Sequence, residues 1–205
     1  MRSSYIKNDF GQLLRNYIVN LRPVNIVELG VLDGYSTLHI AQGNKDQNDL
    51  YNIVSYFHAY DLFEDYAYKH GSMEEVKKLM VDNGVDQYVD IRKGNAYEVH
   101  ELYPDSGLDK QGIEFLHVDI SNTGKVVHDI VELWDPKLAP RCILCIEGGS
   151  DERDQIEWMV KGNHPSIKAE ISTNPILNKW YMYGVYYKFP SMFCGMKKWW
   201  NVDKQ

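Results

Sequence analysis

Apolar positions along the chain change their period several times, and each change marks a predicted element. Phe10, Leu13, Leu14, Tyr17, Ile18 and Leu21 recur at intervals of three and four, which predicts an amphipathic helix over 9–21 that stops before Pro23. Asn25 to Leu29 is short and mostly apolar, a strand, and Ser36 to Ala41 reads as a helix after a glycine-bearing turn. Further strands are predicted at 53–60, 88–92, 113–120 and 142–147, the last apolar enough to be buried on both faces. Between them lie a helix over 72–83, with Ser72 and Glu75 forming a capping box, and one carrying Val126, Val127, Ile130, Val131 and Trp134, with Asn122 or Thr123 as its cap. An acid-headed helix follows over 150–161. Ile167 to Ser172 is predicted as a sixth strand and Trp180 to Phe189 as a seventh.

Strands alternating with helices predict an α/β fold with a mostly parallel sheet wound on both sides. A chain of 205 residues, 44% hydrophobic, suits one globular domain, with a helix in 1–24, a core over 25–190 and a tail over 191–205. The net charge of -7 and the scatter of the lysines and arginines argue against a nucleic-acid partner, which needs a concentrated basic face. The polar opening from Met1 to Asp9 and the lack of any long apolar run predict a cytoplasmic protein that does not enter a membrane. Cys142 and Cys145 sit three apart inside an apolar strand, which directs them to opposite faces, so buried thiols are expected rather than a redox or zinc pair.

The chemistry concentrates at the first turn. Gly30 permits a tight turn, Gly34 opens the following helix, and that helix end presents unpaired N–H groups, which together suit a nucleotide. The spacing is not the Gly-x-Gly-x-x-Gly of a dinucleotide site. Glu28, two residues before Gly30, would repel a pyrophosphate and suits a cationic ligand. Glu28-Leu29-Gly30-Val31-Leu32-Asp33-Gly34-Tyr35-Ser36-Thr37 resembles the first motif of the class I S-adenosylmethionine-dependent methyltransferases, in the variant of small O-methyltransferases acting on sugars and other small metabolites. Glu28, Asp61, Asn95, Asp119 and Glu147 stand in order at successive strand ends, and the resemblance extends from Asn25 to Phe189. It implies a Rossmann-like sheet of seven strands, the last antiparallel, with helices on both faces.

For the cofactor, S-adenosylmethionine, the resemblance implies binding by Glu28, Gly30, Gly34, Ser36, Thr37, Asp61, Asn95, Ala96 and Asp119, with Asp61 on the ribose hydroxyls and the segment Lys93-Gly94-Asn95-Ala96 at the adenine. The expected reaction is O-methylation of a small-molecule or sugar hydroxyl. Asp119 and Glu147 are the expected reaction-centre pair, with His117, on the same strand face as Asp119, an alternative base. The same two carboxylates are candidate ligands for magnesium, as in metal-dependent relatives, although Gly148 stands where a further ligand is expected and Asn122 where a relative places a histidine base. A non-catalytic ligand-binding or assembly protein is the alternative reading. A nicotinamide oxidoreductase is disfavoured by Glu28 and the missing third glycine. Acceptor shaping falls to the strand-end loops and the aromatic C-terminal part, where Trp199 and Trp200 follow Lys197 and Lys198, and a homo-oligomer is compatible with all of this.

Overall fold

A computed structural model describes residues 3–68, 70–105 and 112–198, and the chain divides into two compact units, 1–99 and 100–205. Trp199 and Trp200 lie outside the described residues.

The first unit holds α1 (Phe10–Leu21), β1 (Asn25–Leu29), α2 (Tyr35–Tyr51), β2 (Tyr56–Asp61), α3 (Met73–Asp82) and β3 (Asp90–Lys93). Its strands are parallel in the order β3-β2-β1, with Glu28 opposite Ala59 and Asp61 opposite Lys93. Phe10, Leu14 and Ile18 of α1 are buried, as the helical period predicts, and α1 packs on α2. Helix α2 continues well past Ala41. Its second half carries no apolar stripe because polar side chains occupy the inner face: Asn44 Nδ2 donates to the Tyr88 carbonyl at 2.9 Å and Gln47 Nε2 to the Pro23 carbonyl at 3.1 Å. Both are buried and spend their amide N–H groups on backbone carbonyls, that of Pro23 also accepting from the Ser55 hydroxyl at 2.7 Å.

The second unit holds β4 (Ile113–Val118), α4 (Gly124–Trp134), β5 (Leu138–Glu147), α5 (Asp151–Asp154), α6 (Glu157–Lys161), α7 (Ile167–Thr173), α8 (Pro175–Trp180), β6 (Tyr181–Tyr186) and β7 (Met192–Lys197). Here β4 and β5 are parallel, and β7 lies between β5 and β6, antiparallel to both. The seven strands of the described residues thus make the mostly parallel set with an antiparallel last strand that the sequence predicts, but one predicted strand is misplaced and the last one lies outside the predictions. Ile167 to Ser172 is helical, not a strand. Asp154 accepts hydrogen bonds from Ile167 N (2.9 Å) and Lys168 N (3.1 Å), Ser166 caps Ala169 N, and Ile167 and Ile171, one helical turn apart, are the buried positions. The sixth strand is therefore β6, and the last is β7, in residues assigned to the tail. The helix predicted over 150–161 is two short ones, α5 and α6.

Cys142, Cys145 and Cys194 are buried free thiols, with Cys145 Sγ 3.4 Å from Cys194 Sγ across the β5–β7 pair. Among the described residues no helix is long and apolar enough to cross a membrane.

Candidate active site

In the first unit, the turn between β1 and α2 is a fastened structure. Gly30 (φ 94°), Leu32 (φ 50°) and Gly34 (φ 77°) all take left-handed backbone conformations. For Leu32 this costs on the order of 1 kcal/mol. The cost is met by Asp61: its Oδ2 accepts hydrogen bonds from Val31 N at 2.7 Å and Leu32 N at 3.0 Å, its Oδ1 accepts from Phe63 N at 2.7 Å, and Gly30 N donates to the Tyr60 carbonyl at 2.8 Å. Asp61 therefore holds the turn as well as standing at the end of β2. A carboxylate has about four acceptor positions, so the three protein bonds leave one for a ligand hydroxyl.

Glu28 is fully buried, and the Thr37 hydroxyl donates to its Oε2 at 2.5 Å across the turn. Ser36 and Thr37 lie buried in the first turn of α2, as Gly34 caps it. At the end of β3, Gly94 N donates to the Asp61 carbonyl. Asn95 folds on itself there, its Oδ1 accepting from Tyr97 N and its Nδ2 donating to Glu98, and Ala96 is buried. All the residues expected to bind the cofactor, other than Asp119, thus lie at or near the C-terminal ends of β1, β2 and β3.

In the second unit, the register pairs Val118 with Ile146, so Asp119 and Glu147 occupy neighbouring strand ends. Asp119 is half-buried and His117 fully buried within β4. Glu147 is 5% exposed and is gripped by Arg153, itself 5% exposed. Arg153 Nε donates to Glu147 Oε1 and Nη2 to Oε2 at 2.9 Å, a bidentate pair. Burial pushes the Glu147 carboxyl up, to about 7, against the pull of Arg153, and the charge of Asp119 adds to the rise.

Arg153 also donates through Nη2 to the Asn122 carbonyl at 3.3 Å, and its guanidinium lies 5.3 Å from the Trp158 ring centre. The Asn122 amide nitrogen donates to the carbonyls of Val118 (3.2 Å) and Glu147 (3.0 Å). Two buried atoms of this group have no partner among the described residues, Asn122 Oδ1 and Arg153 Nη1.

The candidate magnesium site does not fit this arrangement. Both oxygens of Glu147 face a guanidinium, and no cluster of three metal-ligating side chains exists among the described residues. Sequence reasoning missed Arg153, which it read only as part of an acid-headed helix. The available signal was a permanent cation six residues beyond an acid that ends an apolar strand.

An acid-headed glycine turn on a parallel sheet, a carboxylate at the end of the next strand and an antiparallel last strand define a Rossmann-like fold of the class I methyltransferase kind. A family model described as a methyltransferase domain matches residues 27–147, more than half of the chain, and the protein belongs to that family. Solved structures agree on the fold. A methyltransferase from Geobacter sulfurreducens superimposes with a TM-score of 0.65 at 16% identity, covering 93% of this chain and 79% of its own. An O-methyltransferase of Streptomyces achromogenes involved in tomaymycin synthesis, solved with S-adenosylmethionine, gives 0.64 at 13% identity over 96% and 86%. One from Bacillus cereus, in complex with S-adenosylhomocysteine, gives 0.60 at 15% over 93% and 81%. A search of the curated proteins finds no match.

Proposed function

We propose that this protein transfers a methyl group from S-adenosylmethionine to a hydroxyl of a small molecule, with sugars among the candidate acceptors. The observation that carries the reading is the match of residues 27–147 to the methyltransferase domain, with Glu28 and Asp61 at the turn where a phosphate-binding site has no acid. The ligands of the Streptomyces and Bacillus proteins support the cofactor assignment.

S-adenosylmethionine, when bound, supplies a methyl group already activated by its sulfonium. What remains for the protein is alignment and the acceptor's proton. Glu28, held by Thr37, is a buried acid suited to the positively charged cofactor, and the open acceptor position on Asp61 suits a ribose hydroxyl. Holding the reacting atoms in line supplies much of the rate enhancement in such displacements. An ordinary alcohol is barely ionised at neutral pH, so a base must take its proton. Asp119 is the better candidate because it is half-buried, whereas His117 is fully enclosed and Glu147 is held by Arg153.

Calorimetry should show saturable binding of S-adenosylmethionine, one per chain. Labelled methyl should then pass to a member of a panel of small hydroxyl compounds, more slowly in Asp119→Asn. A folded protein that binds neither S-adenosylmethionine nor S-adenosylhomocysteine would refute the proposal. Binding without transfer to any acceptor would favour the non-catalytic reading.

A further inference from the structure

We propose that Arg153 is a built-in cation that has taken the place of a divalent ion at the Asp119–Glu147 strand ends, closing this centre to metal. Two carboxylates at adjacent ends of parallel strands are a natural divalent-cation site, because hard cations take oxygen ligands and magnesium commonly takes one or two protein carboxylates. In this chain that demand for positive charge is met from within. Arg153 binds both oxygens of Glu147, and its position is held by three further contacts: its own N–H on the Ser150 hydroxyl at 3.2 Å, Nη2 on the Asn122 carbonyl, and Trp158 beside the guanidinium. A guanidinium stays charged at every pH at which proteins fold, so a second cation entering there meets like charge and a carboxylate both of whose oxygens already accept from Arg153.

The backbone also denies the site a further ligand. Gly148 follows Glu147 at φ 119°, and a Cβ there would come within 2.7 Å of Ile167 Cδ1 and 2.9 Å of its Cγ2. A carboxylate or amide side chain at that position would have to displace the Ile167 side chain and adopt a left-handed backbone conformation that non-glycine residues rarely take.

Beside the ion pair, two buried polar atoms lack a partner among the described residues. Asn122 Nδ2 faces two backbone carbonyls, which only accept, so the amide orientation is fixed and Oδ1 is an acceptor without a donor. Arg153 Nη1 is a donor without an acceptor.

The test is calorimetric titration with Mn2+, which needs neither cofactor nor acceptor. The full-length wild-type chain should show no saturable Mn2+ site at millimolar metal. Arg153→Met, of similar length and uncharged, should gain one site per chain, and adding Glu147→Gln to that variant should abolish it. Mn2+ should also raise the melting temperature of Arg153→Met and leave the wild type unchanged, since a ligand stabilises the state that binds it. A folded Arg153→Met that ignores Mn2+ would overturn the proposal. Should Arg153→Met fail to fold, the wild type decides: a site that disappears in Glu147→Gln refutes the proposal, and no site at saturating metal sustains it. Failure to bind S-adenosylmethionine would refute the proposed function while leaving this result intact.

Discussion

At the scale of single residues, two carboxylates at strand ends have acquired partners that set their roles. Asp61 joins the β1–α2 turn to β2 through three backbone N–H groups. Asp61→Ala should therefore weaken S-adenosylmethionine binding and also destabilise the protein, by about 1–3 kcal/mol, because buried donors lose their acceptor. Calorimetry and thermal melting of the same variant measure the two effects, and a loss of affinity without a fall in melting temperature would show the turn to be held by other means. Glu147 and Arg153 are coupled more tightly. Removing the guanidinium leaves a buried carboxylate without its partner, and Arg153→Met should cost about 3–5 kcal/mol in denaturant unfolding at neutral pH. Because burial raises the Glu147 carboxyl, the cost should shrink as the pH is lowered and the stranded acid takes a proton. Glu28, Asp61, Asp119 and Glu147 were all legible as acids at strand ends. Their partners Thr37 and Arg153 were not, since a contact across a turn or between a strand and a short helix leaves no periodic trace.

At the scale of elements, the capped and periodic helices were legible and the ones held from outside were not. Ser72 before α3 and Thr123 before α4 cap as predicted, donated to by Glu75 N and Val126 N. Helix α7 is different, since its first N–H groups depend on Asp154, which belongs to α5. Asp154→Ala should cost about 0.5–2 kcal/mol, the range for a lost helix cap. Hydrogen exchange should then speed up first at Ile167 and Lys168. Uniform exchange along the unit would instead argue that Ile167 and Ile171 anchor the helix unaided.

At the scale of the whole molecule, stability should carry a small pH dependence from His128. The Glu170 carboxylate accepts from its ring at 2.9 Å and raises its pKa, with the charges of Glu132 and Asp129 acting the same way. A histidine whose folded-state pKa is raised adds stability that is complete below its ordinary value of 6.5 and is lost as pH rises through the raised value. The ring is 41% exposed, so the effect should stay near the few tenths of a kcal/mol of about 0.2–1 measured for exposed pairs. Denaturant unfolding across that window should slope downward in the wild type and flatten in His128→Gln. An unchanged slope would assign the dependence to other groups.

What the sequence by itself determined is local. The helical period of α1 and α4, the caps of α3 and α4, the apolar run of β5 and the acid two residues before Gly30 depend on neighbours within a turn or two of chain, and a linear pattern records such neighbours. The tertiary structure decided the rest. Residues 167–172 became helix because Asp154 reached their N–H groups, and β7 formed from Met192–Lys197 because β5 and β6 offered two open edges to a segment with little strand signal of its own. The Asp119–Glu147 centre received a guanidinium in place of an open coordination site because folding brought Arg153 against Glu147 in a dry interior, where an unpaired charge is costly and a bidentate partner offsets part of the cost.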